Sequence, residues 1–226
     1  MVPVALSEEI QRTIQEVYGL PDNRIPVVFN GIDLSRCIVK ESYARKDTFT
    51  VLHIGRFMDV KNHELLLRSF SRFKEHHSDA RLQLLGDGEL KENMMQLAGQ
   101  LNITDAVEFA GLQSNVYPWL HNADVFILPS KFEGMPMTLI EAMGTGLPII
   151  ASDVGGIPDM LMDQKDALLI APKEENILVA LESIYSDEEK RKRLGRNAWD
   201  KSAVFSAITM AKKYADIYEN ISEGRV

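Results

Sequence analysis

The chain has 226 residues, 45% of them hydrophobic and 26% charged, with a net charge of −8. These values suit one large α/β domain or two small ones, and the acidic balance argues against a broad nucleic-acid face, so an anionic ligand would depend on local cations and backbone dipoles. The single cysteine, Cys37, excludes an intrachain disulfide and fits a reducing compartment, and the sequence has neither a cleavable signal pattern nor a membrane-length apolar run.

The first pattern, SEEIQRTIQEVYGL, reads as a helix with Ser7 as its N-cap and Gly19 as its stop. It begins almost at Met1, which suggests a segment cut from a longer chain. RIPVVFNGIDLS follows as a short β-like run closed by the turn signal Asn30-Gly31, and the stretch from about Asp33 to Asp47 reads as a polar connection. From Thr48 onward strand and helix alternate. The expected strands are FTVLHI, ARLQLLG, VEFAG, DVFILP, LPIIAS and ALLIA, short continuous apolar runs that suit a parallel sheet covered on both faces. Between them lie amphipathic stretches at Asn62–Glu75, Glu89–Gln100, Val116–His121, Met137–Met143 and Pro158–Met162. Lys173–Tyr185 and Asp187–Ser202 read as polar-faced helices, and Ser206–Ile221 carries an apolar stripe with no obvious partner. The pattern predicts an α/β fold, a Rossmann-like doubly wound parallel sheet of about six strands over 48–203. Residues 1–47 form an inter-domain helix, short strand and connection, and 204–226 a closing helix.

In such sheets ligands sit outside the carboxyl ends of the strands. Four strand ends carry suitable residues. GRFMDVKN supplies Gly55, Arg56 and Lys61, two cations suited to phosphate oxygens, although two cations on a surface loop can equally be solvated. LLGDGEL offers Gly86 and Gly88, whose lack of a side chain allows a tight turn and close ligand approach. In FEGMPMTLIEAM, Gly134 and the amides through Met137 would point outward at a helix start, where phosphate or sugar hydroxyls are favoured. Glu141 lies one turn into that helix and can accept from the vicinal hydroxyls of a ribose, while Glu133 can meet a sugar hydroxyl or developing anomeric charge. SDVGGIPDM ends another strand in glycines. Each loop alone is ordinary, and their convergence favours a site.

Other features read as structure. The methionine pairs at 94/95 and 135/137 suit packing. The histidines at 53, 63, 76, 77 and 121 lack metal-ligand spacing, so no metal is expected. The Lys190–Arg193 run alternates with acids and reads as a solvated helix face.

NGID, GRFMDVKN, LLGDGEL, VEFAGLQ, PSKFEGMPMTLIEAMGTGLPIIASDVGGIPDML and FSAITMAKKYADIY together resemble the C-terminal, donor-binding half of a retaining glycosyltransferase of the GT-B fold, in the large family four. The resemblance implies a metal-free enzyme, without a cofactor, that transfers a sugar from a UDP- or GDP-sugar to a glycan or lipid-linked acceptor, in polysaccharide or glycolipid synthesis. It implies that Arg56 and Lys61 bind the diphosphate and Glu141 the ribose. Glu133 and the segment Gly134, Met135, Pro136, Met137 and Thr138 would hold the donor sugar and distal phosphate, with Gly55, Gly86 and Leu112 around the nucleotide and Leu112 beside the base. Glu133, Arg56 and Lys61 would carry the catalysis. Asp159 stands where the family usually has glutamate, and DQKDALLI replaces its usual Asn-Gly turn. The family's N-terminal acceptor domain would be missing. The last helix would cross back to it, peripheral association with the inner face of a membrane would run through it, and the segment alone would bind a nucleotide or nucleotide sugar weakly at best and transfer no sugar. A cytoplasmic location follows from the same resemblance. A non-catalytic nucleotide-binding module is the alternative. A dinucleotide-dependent oxidoreductase lacks the G-x-G-x-x-G after the first strand.

Overall fold

The computed structural model describes residues 2–21 and 24–223, so the outermost ends of the 1–47 and 204–226 segments lie outside it. Six strands form one sheet: β1 Phe49–Ile54, β2 Ala80–Leu85, β3 Val107–Gly111, β4 Val125–Leu128, β5 Ile149–Ser152 and β6 Leu168–Ile170. Their order is β3-β2-β1-β4-β5-β6, with every neighbouring pair parallel. Alternation along each strand feeds two cores. Phe49, Val51, Leu82, Leu84, Val125 and Ile127 face helices α2 (His63–His76), α3 (Lys91–Gln100) and α7 (Glu174–Ser186). Leu52, Ile54, Leu85, Phe126, Leu128 and Ile149 face α4 (Tyr117–Asn122) and α5 (Met137–Thr145). Both faces are thereby removed from water, which is why the central strands β4 and β5 are apolar at nearly every position. The remaining helices are α1 Glu8–Tyr18, α6 Ile157–Met160, α8 Glu188–Ser202 and α9 Ala207–Ser222.

Helix α1 starts and stops where its sequence says. The Ser7 hydroxyl accepts from the Ile10 amide at 3.2 Å, and Gly19 ends the helix in the left-handed region with φ 61°. The expected strand in RIPVVFNGIDLS does not form. Val27 makes a lone parallel bridge with Ala5, and Ile32 another with Ser206. Pro26 has no amide to give a ladder, and each anchor has a single short partner. Nor is the connection after Asp33 merely a polar span. Lys40 is buried and donates to the carbonyls of His121 and Ala123 at 3.1 and 2.6 Å, and the buried Tyr43 hydroxyl donates to Gly146 O at 2.8 Å.

The run Lys190–Arg193 is likewise not wholly solvated. Arg191 is 3% exposed and donates to Ile184 O, Tyr185 O and Tyr43 O. The first two are carbonyls in the last turn of α7, which the helix itself cannot satisfy, so the guanidinium acts as their cap. Helix α9 buries no residue, and Ile208 and Tyr218 on its apolar stripe are 70% and 67% exposed.

Candidate functional site

The strand order reverses between β1 and β4, which are hydrogen-bonded neighbours whose following helices leave on opposite faces. A crevice opens at such a point beyond the strand ends. Two loops meet there, one after β1 and one after β4. A short 3₁₀ turn, Asp59–Lys61, ends at Asn62, whose φ of 58° is a left-handed conformation that asparagine tolerates better than most residues. From that backbone, the Asn62 side chain donates to Pro129 O at 3.1 Å. The Lys131 amide donates to Val60 O at 2.8 Å, and its ammonium to Asp59 Oδ1 at 2.6 Å. The two loops are thus zipped together along their length.

Inside this zip, the Lys61 ammonium lies 2.6 Å from Glu133 Oε1, and the Ser130 hydroxyl donates to the same oxygen at 2.6 Å. The side chains are 18% and 8% exposed, so water screens the pair little. Beside it lies a cavity of about 470 Å³ whose walls include Gly55, Arg56, Gly86, Leu112 and Gln113. Arg56 is free to turn: its side chain is 68% exposed and its nearest carboxylate, Glu89, is 3.9 Å away.

Besides lining the cavity, the glycines let neighbouring loops pack closely on one another. A Cβ on Gly86 would lie 2.1 Å from Gly55 O, and one on Gly156 would lie 2.0 Å from Gly134 O. Loop packs on loop, backbone against backbone. The Gly156 amide also donates to Glu133 O at 2.9 Å, so the glycine turn after β5 holds the main chain that carries Glu133. Gly134 is not demanded in this way, since a Cβ there would meet only Ile10 Cδ1 at 3.7 Å.

Helix α5 begins at Met137 with Pro136 before it, and no side chain caps it. The Leu139 amide turns back to Pro136 O at 3.2 Å, so it is the amides ahead of it that suit a ligand. Thr138 is half-buried and Met137 is 41% exposed at this end, so the packing expected of the methionine pair holds only for Met135, which is buried with its sulfur accepting from the Asn30 amide at 3.0 Å. Glu141 sits one turn in and is half-buried. Burial pushes its carboxyl above the ordinary range, and the Arg36 guanidinium opposes that shift. The same guanidinium lies 5.0 Å from the centre of the Tyr117 ring, whose hydroxyl is pushed up by burial and by the charge of Glu141. Val116, immediately before Tyr117, lines the cavity. Among the described residues, no three His, Cys, Asp or Glu side chains converge as metal ligands.

Behind the first loop lies a pair of buried imidazoles. His53 Nδ1 contacts Ile127 O at 2.9 Å, while its Nε2 has no partner and lies where a Cβ on Gly55 would fall, at 2.9 Å. His63 stacks on Phe57 at 4.1 Å and meets His53 edge-on at 4.6 Å, with both ring nitrogens unpartnered. Burial lowers the first to about 4 and the second to about 2, and Lys61 pushes both the same way.

The family described as "Glycosyl transferases group 1" matches residues 37–201, well over half of the chain. The chain belongs to that family. N-acetyl-alpha-D-glucosaminyl L-malate synthase of Bacillus anthracis is 30% identical over 214 residues, 93% of this chain and 54% of that one. N-acetylgalactosamine-N,N'-diacetylbacillosaminyl-diphospho-undecaprenol 4-alpha-N-acetylgalactosaminyltransferase of Campylobacter jejuni is 29% identical over 86% of this chain and 53% of its own. The chain spans about half the length of these curated relatives. Among solved structures, Anabaena Alr3699/HepE, in complex with UDP and glucose, matches with a TM-score of 0.86 at 18% identity, over 96% of this chain and 62% of that one. The apo lipopolysaccharide outer core galactosyltransferase WaaB matches with a TM-score of 0.80 at 26% identity, over 99% and 62%. The six-stranded order β3-β2-β1-β4-β5-β6 is that of a Rossmann-like GT-B domain.

Four residues that hold the site together were not singled out from the sequence: Asp59, Asn62, Ser130 and Lys131. Only two left a signal. Asparagine after a lysine at the start of a helix is a left-handed candidate, and Ser130 stands three residues before Glu133, within reach of its carboxylate. The role of Asp159 was also open. Its carboxylate accepts from the amides of Glu8 and Glu9 at 2.9 and 3.3 Å, capping α1 from the first turn of α6.

Proposed function

We propose that this chain binds the donor of a retaining, metal-independent glycosyltransferase that takes a nucleoside-diphosphate sugar and serves glycan synthesis. The observation that carries this reading is the Lys61–Glu133 contact of 2.6 Å in the crevice between β1 and β4, beside an uncapped helix and a glycine-walled cavity. Lys61, with Arg56 swinging in from its exposed position, would neutralise a diphosphate as it leaves. The open amides of α5 would add dipoles aimed at the same charge. Glu141 would accept from ribose hydroxyls and Glu133 from the sugar. Neither carboxylate is needed as a general acid, because a nucleoside diphosphate leaves without protonation. That separates this pair from the acid–base pair of a glycosidase. The HepE structure with UDP and glucose supports a uridine nucleotide as the first donor to try. The acceptor class that fits is a glycan or a lipid-linked sugar.

Calorimetric titration of the chain with UDP, GDP and NAD tests the reading. A saturable response to one of the two diphosphates, unchanged by EDTA, is the expected result. Response to NAD with silence toward both diphosphates would overturn it, and loss of binding in EDTA would overturn metal independence.

A further inference from the structure

Glu133 is 7% exposed, and one of its oxygens takes both short contacts, from the Lys61 ammonium and from the Ser130 hydroxyl, each at 2.6 Å. The cation assigned to the diphosphate is therefore already engaged by the carboxylate assigned to the sugar. We propose that phosphate and Glu133 compete for the Lys61 ammonium, so that the site discriminates an intact nucleotide sugar from the nucleoside diphosphate left after transfer. The inference rests on the donor-binding reading above.

The case is one of charge compensation. A diphosphate carries more charge than one carboxylate and draws Lys61 toward itself. The backbones on either side cannot follow, because Asn62–Pro129, Lys131–Val60 and Lys131–Asp59 contacts fix the two loops to each other. Only the lysine side chain swings. Glu133 then keeps the Ser130 proton alone, in surroundings from which water is nearly excluded, and faces a new anion. A desolvated carboxylate stripped of its cation is strongly disfavoured. A sugar on the distal phosphate brings hydroxyls that donate to the vacated lone pairs. The bare nucleotide brings none. Once the sugar has left, Lys61 returns to Glu133 and the nucleotide is released. Ser130 is a positioning residue here, since its hydroxyl is what partly compensates Glu133 while Lys61 is away.

The test is titration of the wild-type chain, Glu133→Gln, Ser130→Ala and Ser130→Thr with UDP and UDP-glucose, and with GDP and GDP-mannose in parallel. Thermal melts check that each variant folds. Wild type should bind the sugar nucleotide more tightly than the matching diphosphate. Glu133→Gln keeps the shape, removes the competing charge and should tighten the bare diphosphate by roughly tenfold while erasing the preference for the sugar form. Ser130→Ala should move the other way, weakening the bare diphosphate, and Ser130→Thr should restore it. A Glu133→Gln chain that binds the diphosphate no better than wild type overturns the competition while leaving the donor site standing. Failure of wild type to bind any of the four nucleotides overturns the donor-binding reading itself, and the competition with it.

Discussion

Lys61, which ends the 3₁₀ turn before α2, and Lys74, in the last turn of α2, illustrate how place decides what a charge can do. Lys74 is at the end of α2, where its ammonium donates to Ser78 O at 2.5 Å. Lys61 is largely covered and faces Glu133 at the crevice. Lys61→Ala should therefore weaken diphosphate binding by about ten- to a hundredfold, the range of a lost charge-assisted hydrogen bond, and Lys74→Ala should change it little. Equal losses in a titration would remove Lys61 from the site. The two members of the Lys61–Glu133 pair were each legible in the sequence, because cations and carboxylates at strand ends are a recognisable signal. Their contact was not, since it joins positions 72 apart through the β1–β4 pairing. The glycines were legible as turns, but the loop-on-loop packing they allow was not. Contact between one loop's missing Cβ and the next loop's carbonyl exists only once the strands are assembled.

At the scale of elements, every strand from FTVLHI onward formed, because a buried parallel strand needs a short apolar run and little else. RIPVVF failed as a strand because apolar character does not supply a ladder partner, and Pro26 cannot donate to one. Arg191 escaped because its neighbours are charged, and only the unpaired carbonyls at the end of α7 explain why it turns inward. Asp159 belongs at this scale too. It joins α1 to α6 through two amides, while Ser7 caps the same first turn through the Ile10 amide and packs near Gly156. Asp159→Ala should cost α1 about 0.5–2 kcal/mol, as the loss of a cap does, and Asp159→Asn, which keeps an acceptor oxygen, should cost less. Hydrogen exchange reads this directly. Faster exchange confined to α1 and α6 is expected in Asp159→Ala, and unchanged exchange there would show that Ser7 and packing suffice.

For the whole molecule, the site rests on two apolar layers with a buried pair of imidazoles, His53 and His63, beneath the β1 loop. Both rings are neutral in the fold, with pKa values lowered to about 4 and about 2 from an ordinary 6.5, chiefly by burial, with Lys61 adding in each case. An unfolded chain takes up these two protons near pH 6.5, and the folded chain does not. The unfolded state therefore binds more protons below that pH, and stability falls as pH drops from about 6.5 toward the folded values, by up to about 1.4 kcal/mol per pH unit for each ring. Asp124 and Glu141 work in the opposite sense, because burial raises both carboxyls and the folded chain takes up their protons first. The net acid curve mixes the two, so the comparison that isolates the histidines is wild type against His63→Phe, an apolar ring in place of the one stacked on Phe57. Melting temperature measured from pH 7 to pH 4.5 should fall less steeply in the variant, even if it starts lower. Parallel curves would mean that His63 is hydrated in the fold and titrates as it does in the open chain. The steeper wild-type slope would tie acid sensitivity to the floor beneath Gly55 and Lys61.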